Sequence, residues 1–290
     1  MIEKLIIGAP FGNYLHFAYT TPTLGTYTSY YRGGFWKRVW RVLTTVRYYP
    51  GIQAWKNKLG LPNPSIRRLT ELCGPPAHSH IRATTPPKLI VKDKIVSVTG
   101  HNDVQWETVI VTAADAKPAM IEMNVGCPNC PGDDATQDYP KVFAWASEYC
   151  FRKQVPLCLK LPPVSFMRIV RQAVDGGICR FHCCNTLPTP GGGMSGKPLK
   201  PLALQASEYV RNYCYARSYA LDMLIGGGGV THAQDAQDFL GVGCTNVAVA
   251  SVLFNPLNWP RVRRIAHDLY LRDAPPPQPA PAVKDVEQLL

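Results

Sequence analysis

Short apolar runs that alternate with helix-length segments constrain this chain more than any other feature. Runs of strand length occur at 4–9 (KLIIGA), 41–46 (RVLTTV), 94–100 (KIVSVTG) and 119–125 (AMIEMNV). Four more follow at 156–161 (PLCLKL), 178–184 (ICRFHCC), 222–227 (DMLIGG) and 245–251 (TNVAVAS). Stretches such as YPKVFAWASEYCFRKQ, VSFMRIVRQAVDG, PLALQASEYVRNYCYARS and HAQDAQDFLGVG lie between them and suit helices. Eight strands alternating with helices predict an α/β fold of the (β/α)8 barrel type, with a doubly wound sheet as the alternative. A chain of 290 residues fits one such barrel. We expect the barrel to occupy 1–270. The ending DAPPPQPAPAVKDVEQLL has five prolines within 275–281, so 271–290 reads as an extended tail.

The charge is uneven. Formal net charge is +11, and residues 1–90 hold twelve Lys and Arg against only Glu3 and Glu71. The densest part, YYRGGFWKRVWRVLTTVRYYPG, interleaves these cations with Tyr, Trp and Phe. That mixture suits an acidic protein or another anionic surface, and equally a solvated face over packed aromatics. No run of 18 apolar residues occurs, and no signal-peptide pattern opens the chain. Ten cysteines without such a signal are expected to be reduced thiols in a cytoplasmic compartment.

Barrels place their chemistry at the C-terminal ends of strands. Candidates there are Asn57, Asn124, Cys127, Lys160, Asn185, Gly228 and Ser251. IEMNVGCPN sets Cys127 just past a strand, flanked by Asn124 and Asn129. The thiol is either a reactive group or a buried cysteine. LIGGGGVTHAQ puts glycines between a strand and a helix, where backbone N–H groups can approach a phosphate. Ser251, after the eighth run, can supply the other half of such a site. Lys160 interrupts an apolar strand, so it needs a partner or a cavity. Cys127 and Cys130 also form a C-x-x-C, read here as coincidence because no second pair completes a metal site.

Taken in order, NKLGLPN (57–63), NVGCPN, KLPP, the NT…GGGMSGKPLKPLAL segment and GGGGV resemble the dihydroorotate dehydrogenase family over roughly 4–270. The resemblance implies an FMN-dependent barrel that oxidises dihydroorotate to orotate in pyrimidine biosynthesis. Cys127 then corresponds to the base of the cysteine-using, cytosolic class. Asn57, Asn124, Asn129 and Asn185, with Thr186 beside the last, match groups that hold the pyrimidine. Leu59, Gly60 and Leu61 match the loop that receives its carboxylate. The flavin would be held by Thr45, Asn124, Lys160, Gly196, Gly228, Gly229, Ala250 and Ser251. Related cytosolic enzymes imply a homodimer.

Three departures stand beside the resemblance. The lysine that usually ends the second strand is replaced, on this alignment, by Thr44 and Thr45, with Lys56 or Lys58 as substitutes. GAPFGN brings Phe11 towards the flavin edge. The stretch 13–43 is longer than usual and carries the basic and aromatic residues, so it reads as an insertion. These departures keep two other readings open. One is a non-catalytic barrel serving as a structural subunit, and the other is an enzyme similar to tRNA-dihydrouridine synthases. The electron acceptor is left open by the sequence.

Overall fold

The computed structural model describes residues 2–73, 90–126 and 139–273. The first half of the chain forms β1 (Leu5–Ile7), β2 (Thr20–Tyr27), α1 (Phe35–Thr45), β3 (Arg47–Tyr49), β4 (Ala54–Asn57), α2 (Arg67–Cys73), β5 (Ile95–Val98), α3 (Asp103–Asp115) and β6 (Met120–Asn124). The second half forms α4 (Pro140–Arg152), β7 (Leu157–Leu161), α5 (Met167–Asp175), β8 (Arg180–Cys183), β9 (Leu187–Thr189), β10 (Gly192–Gly196), α6 (Lys200–Ala216), β11 (Met223–Gly227), α7 (Ala233–Gly241), β12 (Asn246–Val249) and α8 (Trp259–Asp273).

Strands β1, β2, β5, β6, β7, β8, β11 and β12 close in that order into a parallel barrel, with β12 back beside β1. This is the (β/α)8 architecture expected from the alternation. Successive strand residues face opposite sides. Leu5, Val96, Ile121, Leu159, Phe181, Leu224 and Val247 belong to the large core shared with the helices. Ile6, Ile95, Met120, Cys158, Ile225 and Ala248 form a separate cluster that plugs the barrel interior. Two residues further along their strands, and so on the same inward face, stand Ser97, Glu122, Lys160 and Gly227. The apolar plug thus carries a polar layer on its C-terminal side.

A second sheet, antiparallel in the order β3-β4-β10-β9, comes from the β2–β5 and β8–β11 connections. Both connections leave C-terminal strand ends, so this sheet sits over that mouth of the barrel. It pairs Asn57 with Gly193 and Ala54 with Gly196.

The second strand corrects the sequence reading. Residues 41–45 are the end of α1, and the barrel strand is Thr20–Tyr27. TTPTLGTY hides its role because Pro22 and Gly25 interrupt it and threonines fill its buried places. Thr21, Thr23 and Thr26 are all buried. In α1, Thr44 and Thr45 donate their hydroxyls to the carbonyls of Trp40 and Arg41 one turn back. Residues 13–43 are therefore not one insertion, because β2 lies among them. Helix α1, which carries much of the basic and aromatic block, follows β2. At the other end α8 runs to Asp273, and 274–290, most of the expected tail, lies outside the described residues. Among the described residues no helix is long and apolar enough to cross a membrane.

Candidate functional site at the C-terminal mouth

A cavity of about 410 Å³ opens at the C-terminal mouth of the barrel. Its floor is the polar layer. Glu122 on β6 is 1% exposed, and a carboxylate so placed is costly unless paired. His182 Nδ1 on β8 lies 2.6 Å from Glu122 Oε2, and Lys160 Nζ on β7 lies 3.7 Å from Oε1. Burial pushes the Glu122 carboxyl up, but Lys160 and His182 together hold it below its ordinary value. Burial and the nearby Lys160 ammonium push His182 down, against the pull of Glu122. Lys160 keeps a small opening to the cavity.

From the floor upward, hydroxyls and amides link β2, β5 and β6 with the loop after β8. Ser97 Oγ and Thr26 Oγ1 are 2.9 Å apart, and Asn124 Nδ2 donates to Thr26 Oγ1 at 3.2 Å. Asn185 Nδ2 then donates to Asn124 Oδ1 at 2.6 Å. This places two amides edge to edge beside Lys160, so the cavity offers donors and acceptors side by side.

One wall is built for close approach. Gly228 and Gly229 have φ of +130° and +74°, and a Cβ on Gly229 would meet the Gly196 carbonyl oxygen at 2.8 Å. Ala250 precedes, and Ser251 opens, a short 3-10 turn after β12. All four residues line the cavity. Loops after the seventh and eighth barrel strands thus converge, an arrangement that suits a phosphate.

The opposite wall is the 57–63 loop, held by α1. Arg38 Nε and Nη2 donate to the Pro62 carbonyl at 3.3 and 2.9 Å, and Nη1 donates to the Tyr14 hydroxyl. Arg41 Nη1 donates to the Lys58 carbonyl at 3.1 Å. Asn57, Leu59 and Leu61 line the cavity.

The expected residues divide as follows. Asn57, Leu59, Leu61, Asn124, Lys160, Asn185, Thr186, Gly228, Gly229, Ala250 and Ser251 come together around one cavity. Gly60 lies between two lining residues without lining it, and Gly196 backs the Gly229 turn from behind. Thr45 is not brought to the site. It lies at the end of α1, where its hydroxyl accepts from the Lys58 backbone N–H at 3.3 Å. The second-strand position at the cavity belongs to Thr26, not Thr44. Neither Lys56 nor Lys58 lines the cavity, and Lys56 instead donates to the Pro190 carbonyl. Cys127, Asn129 and Cys130 lie outside the described residues.

Sequence reasoning missed His182, Thr26 and Arg38. A histidine inside the apolar run ICRFHCC, at the inward-facing parity, was the available signal for the first. Phe11 does reach the cavity, packing edge-on against Phe254 at 4.8 Å.

A closed parallel barrel with a glycine turn and a serine turn after its last two strands has the form in which barrels frequently hold a phosphate. The chain belongs to the dihydroorotate dehydrogenase family, whose profile matches residues 44–270. The family is one of oxidoreductases, and its members are flavoproteins that use FMN. The catalytic subunit of dihydroorotate dehydrogenase B (NAD(+)) from Lachnoclostridium phytofermentans is 28% identical over 69% of this chain and 68% of its own length. The Escherichia coli NAD-dependent dihydropyrimidine dehydrogenase subunit PreA is 24% identical over 64% of this chain and 51% of its own. Among solved structures, Eimeria tenella DHODH in complex with ferulenol superposes with a TM-score of 0.66. It covers 93% of this chain and 80% of its own at 16% identity, a likeness of fold.

Proposed function

We propose that this protein is an FMN-dependent oxidoreductase that oxidises dihydroorotate, or a closely similar dihydropyrimidine, within pyrimidine metabolism. The observation that carries the reading is the convergence of the glycine and serine turns, Lys160 and the Asn124–Asn185 amide pair in one cavity. FMN, when bound, supplies the hydride-accepting ring. The residues present fit it. Gly228, Gly229 and Ser251 leave room and donors for the phosphate, and Lys160 offers a cation to the ring's electron-rich edge. Asn57, Asn124 and Asn185 would orient a pyrimidine, whose rim alternates N–H and C=O. Cys127, three positions after Asn124, would take the substrate proton.

The test is FMN titration of the wild-type protein and of Ser251→Asp, followed by visible absorbance and flavin fluorescence. Wild type should bind. Ser251→Asp should bind about a hundredfold more weakly, because a hydrogen bond to a charged group is worth about 1.5–3 kcal/mol and the new carboxylate repels the phosphate. Ser251 is the better probe than Gly228, where any side chain also meets a positive φ. A second reading, the barrel as a non-catalytic subunit, is favoured by one observation: the second strand presents Thr26 rather than a lysine to the cavity. A wild type that binds no FMN would decide for it.

The basic-aromatic helix supports a docking role. Trp36, Trp40 and Leu43, spaced along one outward stripe of α1, are 80%, 68% and 69% exposed. Exposed Lys37 and Arg47 accompany them. Arg38 and Arg41 bond the 57–63 loop instead. Lys37→Glu with Arg47→Glu should lower the salt concentration needed for elution from heparin while leaving FMN binding unchanged. Equal elution of variant and wild type would make the block a solvated face.

A further inference from the structure

We propose that His182 is the proton-accepting residue of the cofactor site: pinned by Glu122, its Nε2 faces the cavity and takes up a proton when the bound flavin is reduced. The proposal rests on the FMN reading above. Its first support is geometry. His182 stands in register with Lys160 on one side and Ile225 on the other. Its Nδ1 is held 2.6 Å from the ionised Glu122, so Nδ1 carries the hydrogen and Nε2 keeps its lone pair. A Cβ at Gly227 would lie only 3.4 Å from Nε2. Glycine there leaves that nitrogen open to the cavity, which His182 lines.

The second support is charge. Lys160 is the cation nearest Glu122, so its charge is already matched by the carboxylate. With His182 neutral, the Lys160–Glu122 pair leaves the floor without net charge, so Lys160 can face the ring's electron-rich edge but cannot alone neutralise a further negative charge arriving there. Among the described residues, few charged or titratable groups face His182. Glu122 comes from β6, and Lys160 and the buried Cys158 thiol come from β7. On its own strand Arg180 is bound to Asp222 at 2.6 Å, and burial pushes the Cys184 thiol up to about 12. Strands β5, β11 and β12 present Ser97, Ile225, Gly227, Asn246 and Ala248, none of which titrates there.

Reduction by dithionite then consumes two electrons and two protons from water for each cofactor. One proton goes to the flavin ring and one to His182 Nε2. The experiment is the midpoint potential of the FMN-loaded protein, with dye mediators, from about pH 5.5 to 8, around the ordinary histidine pKa. Over part of that range the wild-type slope should correspond to two protons per two electrons. In His182→Gln, whose amide can still donate to Glu122, it should fall to one, half the wild-type slope. As a readout that needs no variant, the His182 ring NMR signals of wild type should report a neutral ring before reduction and a protonated one after. A one-proton slope in wild type, an unchanged slope in His182→Gln, or a ring that stays neutral on reduction overturns the role of His182 and leaves the flavin reading standing. Failure of wild type to bind FMN overturns both.

Discussion

Lys160→Met is expected to destabilise the protein by about 3–5 kcal/mol at neutral pH, the usual cost of leaving a buried charge without its partner. Methionine fills much the same volume, so packing changes little. What changes is Glu122, which is 1% exposed and loses the cation 3.7 Å away. Its remaining partners are His182 and the Ser97 hydroxyl, and protonating the His182 ring can recover part of the loss, which sets the result towards the lower figure. Adding Glu122→Gln to the variant should restore most of the stability, because the orphaned charge is gone. The pH dependence has a definite sign. In wild type the Glu122 carboxyl is held below its ordinary value, so its contribution is present above the unfolded pKa and is lost as pH falls through the folded one. Without Lys160, burial is opposed only by His182 and Ser97, and the carboxyl moves up. The penalty is then full at neutral pH and shrinks as acid protonates Glu122. Urea unfolding of wild type, single and double variants at several pH values measures this directly. A penalty that stays constant with pH would mean that Lys160 matters only by packing.

The barrel was legible in the sequence wherever strands are continuous and apolar. KLIIGA, AMIEMNV, PLCLKL and TNVAVAS are buried on both faces, and each holds a strand of the closed sheet. β2 was illegible for a physical reason. Its buried places are taken by Thr21, Thr23 and Thr26, whose methyl groups pack like valine while their hydroxyls read as polar. Helix α1 was misread because its apolar stripe faces outward and its arginines face the protein. An inward Arg38 bonded to Pro62 and Tyr14 reverses the pattern that identifies an ordinary surface helix.

The site divides along the same line. Residues that act through backbone shape or isolated polar chemistry, such as Gly228, Gly229, Asn124 and Lys160, stand out in a sequence. His182 and Thr26 depend on which strand lies beside which, and strand order is a property of the closed sheet. Placing Thr44 at the second strand end followed from missing β2. Once β2 is known, Thr26 takes that place, and its hydroxyl bonds Asn124 instead of presenting a cation to the cavity.

Cys127→Ser is expected to slow reduction of the bound flavin by dihydroorotate about 10²–10⁴-fold, the usual worth of a positioned general base. A thiol has an unperturbed pKa near 8.5, roughly, and can be brought to the working range by its surroundings, whereas a serine hydroxyl without a partner base cannot. The chain leading to Cys127 has little freedom. A Cβ on Gly126 would lie 2.7 Å from the Pro162 ring, so only glycine lets the segment after β6 pass so close to the one after β7. Pro128 follows Cys127 and fixes the next backbone angle. Binding of flavin and of orotate should survive the substitution, because Lys160, Ser251 and the bonded amides Asn124 and Asn185 are untouched. Cys130→Ser should change the rate little. Stopped-flow reduction under anaerobic conditions isolates this half of the reaction from the electron acceptor. Equal rates for Cys127→Ser and wild type would remove the thiol from the chemistry. A wild type that binds FMN and is reduced by a dihydropyrimidine but not by dihydroorotate would move the substrate towards the reaction for which PreA is named. Thr26, neutral where a cation would otherwise meet a substrate carboxylate, would then be the residue to exchange for lysine.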